Sequence, residues 1–195
     1  MSAEYSIETD LKEAEAMAHS LDAYVRGEQL YGSAGGGFFN RMPSLTVGAL
    51  AMRLRRLHAL GSALNARQQA RLEKATRHHD SVQQEWRAHY EEKVVREAHS
   101  RLEAMSTFFK ECQESPSQCP NIYKPEALRR TIVQELLRLL SDLNADTGDL
   151  TDKVRRTDGN LRGVVNKSKF IWAPVLMPVY PQDEFWWLYS TPPDE

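Results

Sequence analysis

The chain has 195 residues, 41% of them hydrophobic and 27% charged, with a formal net charge of −2 and a mean hydropathy of −0.57. These values suit one soluble domain, or one domain with an appendage, large enough to bury a core, and they exclude a disordered or membrane-embedded chain. The near-neutral total conceals an asymmetry, because residues 1–30 hold seven acidic against two basic side chains while residues 41–77 hold eight basic against one acidic. Either the two segments lie side by side and neutralise each other, or the basic one meets a polyanion.

Glu4, Glu8, Asp10 and Glu13 stand where a secretory signal would be basic and then apolar. The apolar run 45–52 falls far short of the roughly 20 residues a bilayer needs. The expected location is the cytoplasm, without membrane association. Cys112 and Cys119 are the two cysteines. A reducing compartment keeps them as unpaired thiols, two sulfurs are too few for a zinc site, and a local disulfide around Pro116 is the alternative.

The first helix is expected over residues 7–31, with Leu11, Ala14, Ala18, Leu21 and Val25 on one face. The glycine-rich stretch 32–37 stops it. A phosphate-binding loop there would need a Gly-Lys-Ser/Thr ending or a preceding strand, and Phe38, Phe39 and Asn40 follow instead.

Ser44 is the expected N-cap of a second helix carrying Val47, Leu50, Leu54 and Leu57, with Gly61 as its left-handed stop. Asn65 and Gln68 then form a capping box that opens a helix over 66–112. Neither proline nor glycine interrupts it, so it is expected to be continuous, about 70 Å at 1.5 Å per residue. A competing break lies at 76–81, where Ser81 and Gln84 can cap a fresh start. Between residues 65 and 80 only Leu72 is a large apolar residue, so this part should leave the core or be covered by another chain. From Trp86 the stripe Tyr90, Val94, Ala98, Leu102, Met105, Phe109 and Cys112 is strong.

Pro116 and Pro120 end that helix, and Pro125 is expected as the first residue of a last long one. Its near-heptad face runs Leu128, Ile132, Leu136, Leu139, Leu143, Leu150, Val154 and Leu161, with a possible bend at 144–149. Pro174, Pro178 and Pro181 keep the tail extended. The expected fold is all-α: an antiparallel bundle of about four helices over residues 1–166, with one very long helix at 66–112 and a Pro/Trp-rich strap over 167–195.

Candidate chemistry is sparse. Glu15, His19 and Asp22, and again Glu85, His89 and Glu92, repeat carboxylates and imidazole at one-turn spacing, but both sets point away from the apolar stripes, so no metal is expected. His58 falls on the apolar side of its helix and should be a hydrogen-bonded core residue, whereas His78, His79 and Asp80 should be solvated. Serine-hydrolase, zinc-protease, nucleotide-binding and EF-hand patterns are all missing from the sequence, so no cofactor or catalytic residue is assigned.

Arg67, Arg71, Lys74 and His78, spaced four, three and four, are the candidate polyanion-binding stripe. Trp186 and Trp187, with Trp172 and Tyr189, are the candidate partner-binding group. On an extended segment neighbouring indoles face opposite ways and one is free to anchor a second protein; alternatively both are buried. The expected role is a non-enzymatic interaction or assembly protein, a homodimer or the companion of another protein. A nucleic-acid-associated protein using residues 41–77 is the first alternative, and an enzyme or small-ligand binder with a site inside the bundle the second.

Overall fold

The computed structural model describes residues 5–35 and 42–193. The Gly36–Asn40 portion of the phosphate-loop reading, and Arg41, lie outside the described residues. The fold is all-α, and the chain divides into two compact units, Ser6–Glu97 and Ala98–Glu195.

In the first unit, α1 spans Ile7–Arg26. Ser6 caps it by accepting from Thr9 N, Glu8 and Asp10 complement the dipole in its first turn, and Arg26 does so in the last. It ends five residues earlier than its periodicity suggests. Gly27 is extended, Tyr24 donates its hydroxyl to Leu30 O at 2.8 Å, and Gly32–Ser33 pairs with Ser44–Leu45 in a two-residue antiparallel bridge. Gly32 lies flat on the Tyr24 ring, where a Cβ would sit 2.7 Å from Cδ2.

Helix α2 spans Val47–Ala59 and its N-cap is Thr46, whose Oγ1 accepts from Ala49 N at 3.1 Å; Ser44 is in the bridge instead. No acidic residue occupies the first turn of α2. Its positive end is met by Glu97, fully buried, which accepts from Thr46 Oγ1 at 2.6 Å and Gly48 N at 2.9 Å. Gly61 does not adopt a left-handed stop but starts a 3-10 turn, Gly61–Ala63.

Helix α3 spans Ala66–Glu85 and opens with the expected capping box: Asn65 Oδ1 accepts from Gln68 N at 2.9 Å, and Gln68 Oε1 from Asn65 N at 3.1 Å. The very long helix expected over 66–112 is not continuous, and its break is not at 76–81. It falls at Trp86, with φ −112° and ψ 34°, after which α4 spans Arg87–Glu114. No glycine or proline causes this. The Trp86 indole Nε1 donates to Asp22 Oδ1 at 2.9 Å, and the Arg26 guanidinium lies over the ring, so the break coincides with a side chain held by α1. The longest helix is therefore α4, with 28 residues, about 42 Å. Tyr90 and Val94 on it are fully buried.

In the second unit, α5 spans Cys119–Asp142 and α6 spans Leu150–Val164. Pro125 is inside α5 rather than at its start; Pro120 takes the first turn, where no donor is needed. The carbonyl that Pro125 leaves without its helical donor belongs to exposed Asn121, which keeps the disruption small. The expected single last helix stops after Asp142. Asn144 takes φ 51°, its N–H bonds Ser141 O, and Ala145 N bonds Leu140 O at 2.9 Å, which is a Schellman stop with asparagine in the glycine position.

The expected free thiols are paired: Cys112 and Cys119 form a disulfide, with Cα atoms 5.0 Å apart. The 3-10 turn Pro116–Gln118 folds the chain back and brings the two sulfurs together. The tail is not an extended strap. Asn166–Lys167 pairs antiparallel with Ser190–Thr191, and between them lie two 3-10 segments, Pro174–Val179 and Trp186–Tyr189. Proline at the first turn of a 3-10 segment is as compatible with φ near −65° as an extended chain is.

Candidate functional site

The acidic and basic segments of the sequence meet in the first unit, where α1 packs on α2 and α3. Arg53 donates to Glu13 Oε2 at 2.8 Å, and buried Asp10 lies 3.7 Å from both Arg53 and Arg56. Arg71 grips α1 through two carboxylates, bidentate to Glu15 at 2.6–3.0 Å and to Glu8 at 2.6 Å. The Arg71 hydrogen bond, with help from Gln68, holds the Glu8 carboxyl below its ordinary value, and the two carboxylates raise Arg71 in return. Much of the charge asymmetry is thus spent between neighbouring helices of one unit.

What remains lines a groove of about 510 Å³ between α1 and α3. Its small apolar residues are Ala18 and Ala75, both buried, and around them stand His19, Lys74, Arg77 and His78, all exposed. Small side chains at those two positions let the helices approach while leaving room above, and the helical spacing of Lys74, Arg77, His78 and Ser81 sets them along one wall. Arg77 lies 3.7 Å from Glu73 in a solvent-exposed pair, a contact of little strength. Among its lining residues the groove has cations and imidazoles but no Trp, Tyr or Phe.

Of the polyanion stripe, then, Lys74 and His78 line the groove, Arg71 lines it while held by Glu8 and Glu15, and exposed Arg67 lies outside it toward Glu8. Sequence reasoning passed over Arg77 and read His19 only as a metal candidate; the one-turn relation of Arg77 to Lys74 was the available signal. Of the other members of the two histidine–carboxylate sets, Asp22 and His89 have separate engagements. Asp22 is held low chiefly by Arg26 and receives the Trp86 indole, while His89 packs edge-on against Trp86 at 5.9 Å. Among the described residues no three His, Cys, Asp or Glu side chains are grouped to hold a metal.

The two histidine expectations exchange places. His58 is exposed, with Nε2 2.9 Å from Thr76 Oγ1. His79 is buried, with Nε2 2.7 Å from Tyr90 Oη and Nδ1 2.9 Å from Asp80 Oδ1. Desolvation lowers the His79 pKa against the opposing pull of Asp80, and burial raises Tyr90.

In the second unit the aromatic residues assemble into a chain of edge contacts from Trp172 through Tyr180 and Phe185 to Trp187. Trp187 is 1% exposed. It donates Nε1–H to Thr131 Oγ1 at 2.9 Å, accepts from the Tyr123 hydroxyl at its carbonyl, and lies under the Arg130 guanidinium, itself clamped by Asp158 at 2.7 and 3.0 Å. Trp186 is half-buried, with Arg162 stacked 3.9 Å from its ring centroid, and Trp172 and Tyr189 are half-buried too. The outward apolar residues of the tail are Val175 and Met177.

This unit also carries a cleft of about 600 Å³ over Leu102 and Phe109, with a small polar cluster at its edge. Lys153 Nζ is 3.0 Å from His99 Nδ1 and 2.9 Å from Asp149 Oδ2, and His99 Nε2 is 3.5 Å from Asp149 Oδ1. The lysine bond is the main cause lowering the Asp149 carboxyl. The three groups satisfy one another, so the cluster presents no isolated base or nucleophile. No family model matches this chain, and no curated protein or solved structure is significantly similar to it.

Proposed function

We propose that the chain is a non-enzymatic helical interaction protein whose α1–α3 groove receives an acidic segment of a partner protein. One observation carries this reading: Lys74, Arg77, His19 and His78 surround a concave floor of Ala18 and Ala75, while the carboxylate in the groove, Glu15, is already engaged by Arg71. Charge at such a rim mainly steers association and sets its salt dependence. The sequence-based case for a second copy rested on a 70 Å helix or a Trp-bearing strap that one chain could not cover; with the helix broken at Trp86 and Trp187 enclosed within its own unit, a homodimer becomes one candidate partner among others. Among the described residues no helix is long and apolar enough to cross a membrane. The cytoplasm is part of the proposal; a reducing compartment opens a disulfide such as Cys112–Cys119, so isolation of the chain from its cell with that bond intact would count against it.

Fluorescence anisotropy with a labelled glutamate-rich peptide and a labelled single-stranded oligonucleotide, each at low and high salt, tests the reading. The peptide should bind, weaken with salt, and lose about tenfold in affinity against Lys74→Glu/Arg77→Glu. Tighter binding of the oligonucleotide with a steep salt slope would replace the reading by the nucleic-acid one. Binding of neither would end both.

A further inference from the structure

The Cys112–Cys119 disulfide lies against a cavity of about 250 Å³ in the second unit. Three stretches of chain wall it: the α4–α5 turn through Cys112, Pro116 and Cys119, residues 162–166 at the end of α6, and Pro192 with Pro193 after the Ser190–Thr191 strand. Both cysteines line the cavity while keeping 5% and 4% of their surface exposed. The two sulfurs belong to opposite helix ends. Cys112 is in the last turn of α4, between exposed Glu111 and Glu114, where the dipole and both carboxylates oppose a negative sulfur. Cys119 is the first residue of the 24-residue α5, where the dipole favours one. Glu111 and Glu114 are not part of the cavity lining, whose charged member among the described residues is Arg162. The Arg162 guanidinium stacks on Trp186 and is engaged by no carboxylate among the described residues.

We propose that this disulfide is a site of thiol–disulfide exchange with a small anionic thiol of the glutathione class, which enters the cavity beside Arg162 and attacks Cys112. The thiolate RS⁻ bonds to Cys112 Sγ, the Cys112–Cys119 bond breaks, and its electron pair leaves on Cys119 as the thiolate that α5 stabilises. A second RS⁻ then attacks the thiol-derived sulfur of the mixed disulfide and releases RSSR and the Cys112 thiolate; each protein thiolate takes its proton from water. Two small thiols are oxidised and one protein disulfide is reduced, so electrons balance, and RSSR running the same steps backwards closes the bond again. The order of attack follows from the leaving group, because the better stabilised thiolate departs faster. The site is separate from the α1–α3 groove and stands or falls independently of it.

The test uses the full-length disulfide-bonded protein with glutathione, anionic 2-mercaptoethanesulfonate, neutral 2-mercaptoethanol and cationic cysteamine. Samples are quenched with N-ethylmaleimide, and mass spectrometry counts the free thiols and maps the mixed disulfide. Per thiolate, the folded protein should react with glutathione within about tenfold of the urea-unfolded chain. The first mixed disulfide should be mainly on Cys112. Relative to the unfolded chain, the folded one should favour the two anionic thiols over cysteamine, a comparison that needs no variant. Arg162→Ala, with its fold checked by circular dichroism, should slow the anionic thiols about threefold and leave 2-mercaptoethanol unchanged. A folded-state reaction slowed beyond tenfold marks a closed structural disulfide and overturns the proposal. Mixed disulfide shared equally or favouring Cys119, or folded-state rates indifferent to thiol charge, overturns it too.

Discussion

Burial of His79 couples the stability of the unit Ser6–Glu97 to pH. Desolvation lowers its pKa in the folded state, while the unfolded chain keeps the ordinary value near 6.5. Below that value the unfolded chain binds a proton that the folded one does not, so stability is full above about pH 6.5 and falls as pH drops toward the folded pKa. His79→Asn cannot take that proton. Urea unfolding between about pH 5 and 8 should show a steeper loss on the acid side for the wild-type chain than for the variant; equal slopes would refute the assignment. The periodicity that would have found this residue was present, since Leu72, Ala75, His79 and Val82 are spaced three, four and three. Imidazole is polar, and polarity outweighed phase in placing it.

At the scale of the element, helix starts were more legible than helix stops. The Asn65/Gln68 capping box is a local exchange of two hydrogen bonds, so four residues suffice to specify it. The start of α2 is different. Ser44 and Thr46 are both competent caps, and what selects Thr46 is the bridge that occupies Ser44 and the carboxylate of Glu97, 51 residues away from Thr46, that receives the threonine hydroxyl. Thr46→Ala should destabilise the protein by about 1–2 kcal/mol and Ser44→Ala by less than about 0.5 kcal/mol, as read by urea midpoints. Comparable losses from the two would return the cap to Ser44. The break at Trp86 carries no local stop signal, and the groups that hold its side chain, Asp22 and Arg26, lie on another helix.

Across the molecule, the second unit is held at two places that the sequence left open. One is the Trp187 anchorage among Thr131, Tyr123 and Arg130. The other is the Cys112–Cys119 disulfide, with a sequence separation of 7, which by loop-closure entropy is worth about 2 kcal/mol. Three of the four tryptophans lie in this unit, so their fluorescence reports its unfolding. Dithiothreitol, or Cys112→Ser/Cys119→Ser, should lower the urea midpoint of that signal and leave the folded spectrum unchanged. An unaltered midpoint would mean that the disulfide adds nothing to the unit.

Composition and apolar periodicity by themselves determined that this chain is all-α and much of which residues face a core: Leu11, Ala14, Leu50, Tyr90, Val94, Leu102 and Leu136 are each buried, whereas Leu128, expected on the apolar face of the last helix, is 38% exposed. Those properties follow from side chains three and four apart along one helix, a relation the sequence states directly. Pro116 also marked the end of α4 at Glu114, but tertiary structure decided the break at Trp86, that the thiols pair, that Trp187 is enclosed, and how the charged segments are spent. Arg71 is taken by Glu8 and Glu15, residues 63 and 56 positions away, while Lys74 and Arg77 are left to line a groove. A charge in the sequence has no partner until the chain folds; which cations remain for a second molecule is set by the packing of α1 on α3.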